Sequence, residues 1–299
     1  MSILVHRQTR VLVQGITGRE GRVRTKLMRG YGPKVMAGVT PGRGGEEVEG
    51  VPVFDTVKQA LNEVGNVDAS VIFVPAFAAA DAAMEAMDAG IKFVVIVPDR
   101  VPLHDVLKLT EFAKERQAAF LGPNTLGCLS PGEGVLGMMG GSPEAARSFF
   151  KPGRVGVASR SGGITSSIAY YLGKEGIGAS TIVHVGGDSV VGMPLPTVLS
   201  RFQQDDATEL VVIFGEIGTT QEEQVAEMMK RGEFTKPLVA YIGGRQAEEG
   251  TRFSHAGAIV EGGRGGYESK VEALTDAGAQ VVLRFEDIPQ QVKKLLKTA

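Results

Sequence analysis

The feature that most constrains this chain is an alternation of short apolar runs with amphipathic or alanine-rich segments. Most of the apolar runs are continuous, which is typical of parallel β-strands covered on both faces. Strands that alternate with helices at this spacing predict an α/β fold built from right-handed β–α–β units. The predicted strands are residues 10–14, 35–39, 70–74, 93–97, 119–121, 154–158, 180–185, 210–214, 238–242 and 280–283.

A break in this alternation predicts two domains. Residues 122–152 are rich in Gly, Pro and Ser and show little periodicity, and a new strand begins after Lys151-Pro152-Gly153. We therefore expect doubly wound halves at 1–125 and 151–299, joined by a connecting segment at 126–150. The halves share no residue-level repeat. The predicted helices are residues 56–64, 79–89, 104–116, 161–174, 195–204, 221–231 and 268–277.

Composition narrows the class of protein. The 299 residues are 43% hydrophobic and 22% charged, with a net charge of −2, which is typical of a globular protein and predicts no nucleic-acid partner. The single cysteine, Cys128, excludes an internal disulfide and is too few for a thiolate zinc site. No apolar run approaches the roughly 20 residues that span a bilayer, so we expect a cytoplasmic protein without a membrane partner.

A glycine-rich turn follows the first predicted strand. The segment Gly15-Ile-Thr-Gly18-Arg-Glu-Gly21 leads into a helix, and a helix N-terminus at such a turn can bind a phosphorylated ligand. An NAD-binding unit would carry an acidic residue at the end of the second strand. This chain instead has Arg43 on a glycine loop, which favours a ligand with an additional ribose phosphate. NADP and coenzyme A both meet that requirement.

The second half contains three candidate functional features. A turn at Ser159-Arg-Ser161-Gly-Gly163 opens a helix and could bind an anion, although ordinary capping by Ser161 would also explain it. Glu216 stands between glycines at the end of a buried strand. His255 lies in a turn of small residues and could act as a nucleophile, a general base or a metal ligand. The Glu216 carboxylate could hold one imidazole nitrogen and leave the other free to attack.

Taken in order, these segments resemble one family. Nearly the whole chain is similar to the α subunit of succinyl-CoA synthetase, among the nucleoside-diphosphate-forming acyl-CoA synthetases. The resemblance implies a Rossmann-like CoA-binding domain at 1–125 and a flavodoxin-like ligase domain at 151–299. The segments that carry it are Val13-Gln-Gly-Ile-Thr-Gly18, Gly38-Val-Thr-Pro-Gly42, Gly122-Pro-Asn124, Ser159-Arg-Ser-Gly162, Gly186-Gly-Asp188, Gly215-Glu-Ile-Gly218 and His255-Ala-Gly-Ala258.

The resemblance also implies roles for individual residues. His255 would be the phosphohistidine, and Glu216 the carboxylate that orients it. Residues of the second glycine turn would bind the phosphoryl group and the acid, namely Ser161, Gly162, Gly163 and Ser166. The residues implied along CoA are Thr17, Gly18, Arg19, Glu20, Arg43, Val97, Pro98 and Asp99, with Asn124 near its reacting end.

A partner subunit is implied as well. The chain has no Gly-x-x-x-x-Gly-Lys-Ser/Thr phosphate loop, and in the family a β subunit supplies an ATP-grasp domain, Mg²⁺ and ATP or GTP. The implied reaction passes a phosphoryl group from the nucleotide to His255 and then to a carboxylic acid, after which the CoA thiol displaces phosphate. No metal site is expected on this chain itself. The implied assembly is αβ or α2β2, and its substrate a small dicarboxylic or tricarboxylic acid.

Several positions depart from the family pattern. Arg43 replaces the usual Lys, Thr125-Leu126 replaces Cys-Pro, and Ser254 replaces the Gly before the histidine. Ser166 and Ser167 replace a Tyr and a Glu near the acid substrate, which leads to the hypothesis that the acid is larger or more polar than succinate. A citrate- or malate-type ligase subunit, an NADP-dependent oxidoreductase and a non-catalytic CoA-binding regulator remain as alternatives. The sequence leaves the acid and the choice of nucleotide open.

Overall fold

The computed structural model describes residues 2–246 and 265–297. Within them the chain divides into two units. The N-terminal unit is Val5–Arg147 with Val190–Gly192, and the C-terminal unit comprises Ser148–Ser189 and Met193–Ala299 with Met1–Leu4. No helix among the described residues combines the length and the apolar character needed to cross a membrane.

The N-terminal unit is centred on a sheet with the strand order β3-β4-β2-β1-β5-β6-β7. All neighbouring strands are parallel except the short edge pair β3 and β4. Without β3 the order is 3-2-1-4-5-6, the doubly wound Rossmann arrangement. Its elements are β1 (Arg10–Gln14), α1 (Arg19–Tyr31), β2 (Lys34–Val39), β3 (Glu47–Val48), β4 (Val51–Phe54), α2 (Val57–Val64), β5 (Ala69–Ile72), α3 (Ala76–Asp88), β6 (Phe93–Ile96), α4 (Leu103–Glu115), β7 (Ala119–Leu121), β8 (Gly127–Ser130) and β9 (Gly134–Gly137).

The core of this unit forms because the apolar strands have helices to cover them. Leu12, Ile72 and Ile96 on three neighbouring strands are completely buried. Helix α3 buries mostly small side chains, such as Ala79 and Ala83, with Met87 as the one large buried residue near its end. An alanine face lets a helix backbone approach a sheet closely, so α3 can form one wall above the ends of the central strands.

The C-terminal unit has five parallel strands among the described residues, in the order β14-β13-β12-β10-β11. Numbered within the unit, this order is 2-1-3-4-5, the flavodoxin-like arrangement. The helix α5 (Pro143–Phe149) precedes it. The elements are β10 (Val155–Ser159), α6 (Gly162–Lys174), β11 (Ile182–His184), α7 (Leu195–Gln203), β12 (Leu210–Glu216), α8 (Gln221–Lys230), β13 (Leu238–Gly243), α9 (Tyr267–Asp276), β14 (Gln280–Val282), a 3₁₀ turn at Phe285–Asp287 and α10 (Ile288–Leu296).

The predicted α/β class and both sheet types are confirmed, and three local expectations are corrected. Strand β5 ends at Ile72, so Phe73 and Val74 leave the sheet instead of extending it. Strand β12 continues to Glu216 because Gly215 and Glu216 pair with β13. The segment at 126–150 contains the antiparallel hairpin β8–β9 and α5. A hairpin of four-residue, glycine-bounded strands has neither long apolar runs nor a helical crossover, which is why the periodicity did not reveal it.

Candidate functional site

The first glycine turn lies between β1 and α1, at the carboxyl edge of the N-terminal sheet. Gly21, in the first turn of α1, lies so close to Gly15 that a Cβ atom added to Gly21 would be 2.2 Å from the Gly15 carbonyl oxygen. The helix therefore packs directly against the turn that precedes it. Its first N–H groups point toward the sheet edge, as in dinucleotide-binding folds.

A cavity of about 620 Å³ opens beside this turn. The cavity lies at the carboxyl ends of β1 and β5, the switch point of the strand order. Ligands bind at this point in doubly wound folds. The walls are mostly apolar and come from the ends of three strands and from the side of α3 that carries Ala78 and Ala82 with the acidic Asp81 and Glu85. The lining residues are Gln14, Gly15, Thr17, Gly18, Val39, Thr40, Pro41, Phe73, Val74, Pro75, Ala78, Asp81, Ala82 and Glu85.

Thr17 and Gly18, two of the residues implied for CoA, belong to the cavity wall. The Thr17 hydroxyl lies 3.2 Å from the Thr40 hydroxyl, which joins the glycine turn to the end of β2. Arg19 and Glu20 are exposed on the first turn of α1. Glu20 pairs at 3.0 Å with Arg24 one turn later, so its carboxylate is partly neutralised.

Arg43 lies on the loop after β2, at the same edge of the sheet. Its Nε lies 3.1 Å from Oε1 of Glu46, and its side chain is 52% exposed. An exposed guanidinium at the rim has lost little hydration, so it can exchange its carboxylate partner for a phosphate at small cost. The loop itself is held by the Asp55 carboxylate, which accepts a hydrogen bond of 2.9 Å from the Gly44 amide.

The turn 97–99 follows β6, and Asn124 follows β7 after a cis Gly122–Pro123 peptide bond. The Asn124 amide donates a hydrogen bond of 2.8 Å to the Pro98 carbonyl, so the structure brings these predicted residues together. Asp99 is exposed and pairs with Arg100 at 3.3 Å. All of these positions lie at the carboxyl ends of parallel strands, on the edge that also carries the cavity.

The second glycine turn connects β10 to α6. The Ser161 amide donates to the Ser159 hydroxyl at 3.0 Å, which tightens the turn immediately before the helix. Ser161 is the N-cap residue, but within the described residues its hydroxyl makes no capping hydrogen bond, so the capping explanation does not hold. Ser166 donates 3.1 Å back to the Gly162 carbonyl. The first N–H groups of α6 are therefore not capped by Ser161.

This turn contains a fully buried arginine. Arg160 has no exposed surface, and its Nη1 donates to the Thr219 hydroxyl at 2.9 Å. The same nitrogen lies 3.6 Å from Oε1 of Glu216, the carboxylate that the sequence singled out. The Nε and Nη2 atoms of Arg160 have no hydrogen-bond partner in the described parts of the chain. The ring of His184, which is also buried, hydrogen-bonds to the Arg160 carbonyl at 3.0 Å.

A second buried cation, Lys270, contacts the loop that follows Glu216. Its Nζ donates to the Glu222 carboxylate at 2.5 Å and to Glu223 at 2.8 Å. It also donates to the Thr219 carbonyl at 2.9 Å. Lys270 and Glu222 have no exposed surface. A buried ion pair of this kind needs such additional hydrogen bonds, because burial has removed water from both charges.

Ser166 and Ser167, which replace Tyr and Glu of the family pattern, open onto a shallow cavity of about 320 Å³ on the surface of the C-terminal unit. The other lining residues are Phe149, Phe150 and Tyr170. Phe149 and Tyr170 make an edge-to-face contact with ring centroids 5.6 Å apart. A serine at position 166 therefore leaves open space beside the N-terminal turns of α6.

His255 lies outside the described residues, so its contacts stay a prediction. Arg160 lies within one of the family motifs but was assigned no role from the sequence, and Thr219, Glu222 and Lys270 were not predicted. The sequence signal for Arg160 was its position between an apolar strand and the start of a helix, because a charged side chain at such a junction is buried. In the described residues no group of three His, Cys, Asp or Glu side chains could hold a metal ion.

Comparisons with known proteins match the two halves of the chain to two different families. Residues 6–99 match the family described as CoA binding domain, and residues 158–280 match the family described as CoA-ligase. Subunit alpha 2 of the ADP-forming succinate–CoA ligase of Archaeoglobus fulgidus is 49% identical over 99% of this chain and 100% of its own length. A subunit of an ADP-forming sulfoacetate–CoA ligase of Acholeplasma sp. is 45% identical over 99% of this chain and 98% of its own length.

Among solved structures, the ATP citrate lyase of Methanothrix soehngenii in complex with citrate and coenzyme A has the same fold. It matches 99% of this chain with a TM-score of 0.90 and 24% sequence identity. This chain spans 50% of that longer chain. At this level of identity the similarity supports the fold of both units.

Proposed function

The chain belongs to the succinate–CoA ligase α-subunit family, and from that premise we propose that its second half transfers a phosphoryl group through His255. It is an α subunit of a nucleoside-diphosphate-forming acyl-CoA synthetase, an acid–thiol ligase. The observation that carries the phosphohistidine proposal is the end of β12, where Glu216 lies 3.6 Å from the buried Arg160, a residue of the turn that opens α6. That combination suits a group whose charge changes during the reaction.

The proposed reaction has three steps. A ring nitrogen of His255 attacks the γ-phosphorus of a nucleoside triphosphate, and the bond from that phosphorus to the nucleoside diphosphate breaks. A carboxylate oxygen of the acid then attacks the same phosphorus, which forms an acyl phosphate and frees the imidazole. The CoA sulfur attacks the acyl carbon and loses its proton, and phosphate leaves with the electrons of the C–O bond. Glu216 would accept a hydrogen bond from the imidazole and fix its tautomer.

For CoA, we propose that the cavity beside the first glycine turn holds the nucleotide part of the molecule. Residues 6–99 are a CoA-binding domain. The apolar walls suit an adenine ring, the N–H groups at the start of α1 suit the pyrophosphate, and Arg43 at the rim suits the 3′-phosphate. Thr17, Gly18, Arg19 and Glu20 would contact this part, and the turn at 97–99 and Asn124 would guide the rest of CoA toward its thiol.

For the acid, we propose a substrate that is larger or more polar than succinate. The support is the open space that Ser166 and Ser167 leave beside the start of α6. The names of the relatives allow for such variation, since one acts on succinate and another on sulfoacetate. The comparison that decides is kcat/KM of the complete enzyme for succinate, sulfoacetate, malate and citrate. Succinate turnover equal to or faster than that of the other acids would refute this part of the proposal.

The subunit names of the relatives imply a β partner. We propose that this partner carries an ATP-grasp domain that holds Mg²⁺ and ATP or GTP, in an αβ or α2β2 assembly. Metal-bound nucleotide would then meet His255 from the partner's side, while this chain supplies the helix N-terminus and Glu216. Size determination of the copurified complex would separate the two assemblies.

The decisive experiment is labelling of the complex. With γ-labelled ATP or GTP and Mg²⁺, we expect the α chain to acquire label that is lost in acid and stable in base, as a phosphohistidine should. His255→Ala should acquire none. Label that persists in the His255→Ala chain would contradict the proposal. For the first half, CoA should raise the melting temperature of the complex more than NADP does.

A further inference from the structure

The starting observation is the unusual state of Arg160. A guanidinium with no exposed surface has lost its hydration, which is costly unless its donors find acceptors. Its Nη1 donates a hydrogen bond to Thr219 and lies near Glu216, whereas its Nε and Nη2 have no acceptor in the described residues. Fold stability alone does not favour such an arrangement, because an apolar side chain of similar length would avoid the cost.

We infer that Arg160 is a positioning residue that acts on the phosphoryl-transfer site through Glu216 and the Thr219 loop. Its positive charge holds the Glu216 carboxylate at the end of β12, and its hydrogen bond holds the Thr219 hydroxyl three residues later. This inference rests on the proposed function, in which Glu216 orients His255. No direct contact of Arg160 with the substrates is required.

The loop after Glu216 needs to be held. Thr219 has φ of 44°, in the left-handed region, where a β-branched residue is rare and costs free energy. Two buried cations donate hydrogen bonds to Thr219. Arg160 binds the Thr219 hydroxyl, and Lys270 binds the Thr219 carbonyl at 2.9 Å. Thr219 is thus held at both its main chain and its side chain, which restricts it to one conformation. Glu216 lies only three residues before it, so the same contacts restrict the Glu216 end of the loop.

The main chain of Glu216 is fixed independently of its side chain. Its amide donates to Oε1 of Glu222 at 3.3 Å, and Glu222 is the buried partner of Lys270. Gly215 makes that approach possible, since a Cβ there would be 2.3 Å from the same carboxylate oxygen. Glu222 and Lys270 therefore help to set where the Glu216 backbone lies. Arg160 acts on the side chain, where its charge contributes to the direction and the electrostatic environment of the carboxylate.

A purely structural role for Arg160 predicts a different outcome from a role through Glu216. If Arg160 only stabilises the unit, its loss and the loss of the Glu216 charge should reduce activity independently. If it acts through Glu216, the two effects should not multiply, because removal of the carboxylate also removes what Arg160 acts on. A double-mutant cycle separates the two roles.

The experiment uses the complex with its β subunit and measures the rate of histidine phosphorylation from labelled nucleotide. Arg160→Met should slow it roughly 100-fold, the loss expected when a catalytic group is displaced by about 1 Å. In the Glu216→Gln background, the same substitution should add less than about twofold. Arg160→Lys keeps the charge but loses the planar fork, and should give an intermediate rate. CoA affinity should stay unchanged throughout.

The matched control is Arg154→Met, which removes an exposed arginine at the opposite end of the same strand, paired with Glu209. It should phosphorylate at the normal rate. If Arg160→Met does not fold, Thr219→Ala against Thr219→Ser tests the same contact, and only the serine variant should keep the rate. Effects of Arg160→Met and Glu216→Gln that multiply would overturn the inference, and so would a Glu216→Gln effect below about twofold. Label on His255→Ala would instead overturn the proposed function.

Discussion

The two halves of the chain both place a helix N-terminus after their first strand, but they surround it with different chemistry. In the first half, the turn before α1 opens onto a cavity of about 620 Å³ with apolar walls, and the nearby charges of Arg19 and Arg43 are on the surface. In the second half, the turn before α6 contains Arg160, which has no exposed surface.

This difference separates binding from chemistry. An apolar cavity with exposed cations at its rim can hold a large ligand. The buried apolar contact area provides the affinity, and the cations select a ligand that carries phosphates. Buried charges such as Arg160 and Lys270 contribute less to ligand affinity per contact, but their positions stay fixed during a reaction. The site therefore need not reorganise when charge moves between the reacting groups. In the proposed function, the same helix-start geometry thus serves CoA binding in one half and phosphoryl transfer in the other.

The largest effect should come from removing the buried charge that distinguishes the second half. Lys270→Met leaves Glu222 buried without its cation, which should lower the free energy of unfolding by about 3–5 kcal/mol. The measurement is equilibrium unfolding in denaturant. Lys293→Met is the matched control, because its pair with Glu175 is exposed and should contribute less than about 1 kcal/mol. Equal effects of the two substitutions would remove the contrast between buried and surface charge.

The next largest effect tests how tightly each helix packs on its own turn. Gly21→Ala places a methyl group 2.2 Å from the Gly15 carbonyl oxygen, a main-chain atom that cannot move aside. We expect a loss of about 1–3 kcal/mol, which is typical of overpacking. Gly163→Ala in α6 meets nothing within 4 Å and should gain up to about 1 kcal/mol from reduced freedom of the unfolded chain. Thermal unfolding of both variants gives the comparison, and a stable Gly21→Ala chain would contradict the close packing of α1.

Much of the fold followed from the sequence, because a parallel strand covered on both faces is a continuous apolar run. The strands at 10–14 and 119–121 and the glycine turns lie where the pattern placed them, and the bounds of the other predicted elements differ by a few residues at most. The hairpin β8–β9 was missed, since antiparallel four-residue strands lack that pattern. The end of β12 was placed two residues early, because its last pairs with β13 involve Gly215 and Glu216, residues of low strand propensity.

The site was less predictable, for a physical reason. Glycine turns and a carboxylate at a strand end leave local signals, so Thr17, Ser161 and Glu216 could be named. The buried network could not, because it joins residues far apart in sequence, as in the pair of Lys270 with Glu222. Neither residue has a local pattern that distinguishes it from a solvated helix charge. Only tertiary packing removes water from the two charged groups and fixes the pair in one geometry.

A smaller effect should follow from the surface charge of the first half. Arg43→Ala should weaken CoA binding about tenfold, equivalent to about 1.4 kcal/mol, by removing one charged contact to the 3′-phosphate. Binding of dephospho-CoA, which lacks that phosphate, should not change. The effect should shrink at high salt, because Arg43 is about half exposed. Calorimetric titration with both ligands is the measurement.

The matched control for that titration is Arg116→Ala. Arg116 belongs to the same unit and is ion-paired with Asp88 at 2.8 Å, and it follows α4, near the amino end of β7. Its loss should leave both affinities unchanged. Equal weakening of CoA and dephospho-CoA by Arg43→Ala would mean that Arg43 contacts another part of the ligand, and the contrast between a selecting rim and an apolar cavity would need revision.

The smallest expected effect concerns the only thiol of the chain. Cys128 is completely buried in β8, and burial raises the pKa of its thiol to about 12. The thiolate is the reactive form, and at pH 8 it should make up roughly one part in 10⁴ of this group. A disulfide reagent should therefore find no reactive thiol in the native chain between pH 7 and pH 9, and one after denaturation. In the proposed reaction, whose last step is attack by the CoA thiol, an unreactive Cys128 leaves that thiol without a competitor on this chain. Fast native labelling would mean that the first half exposes a nucleophile of its own, and the division between a binding half and a reacting half would no longer hold.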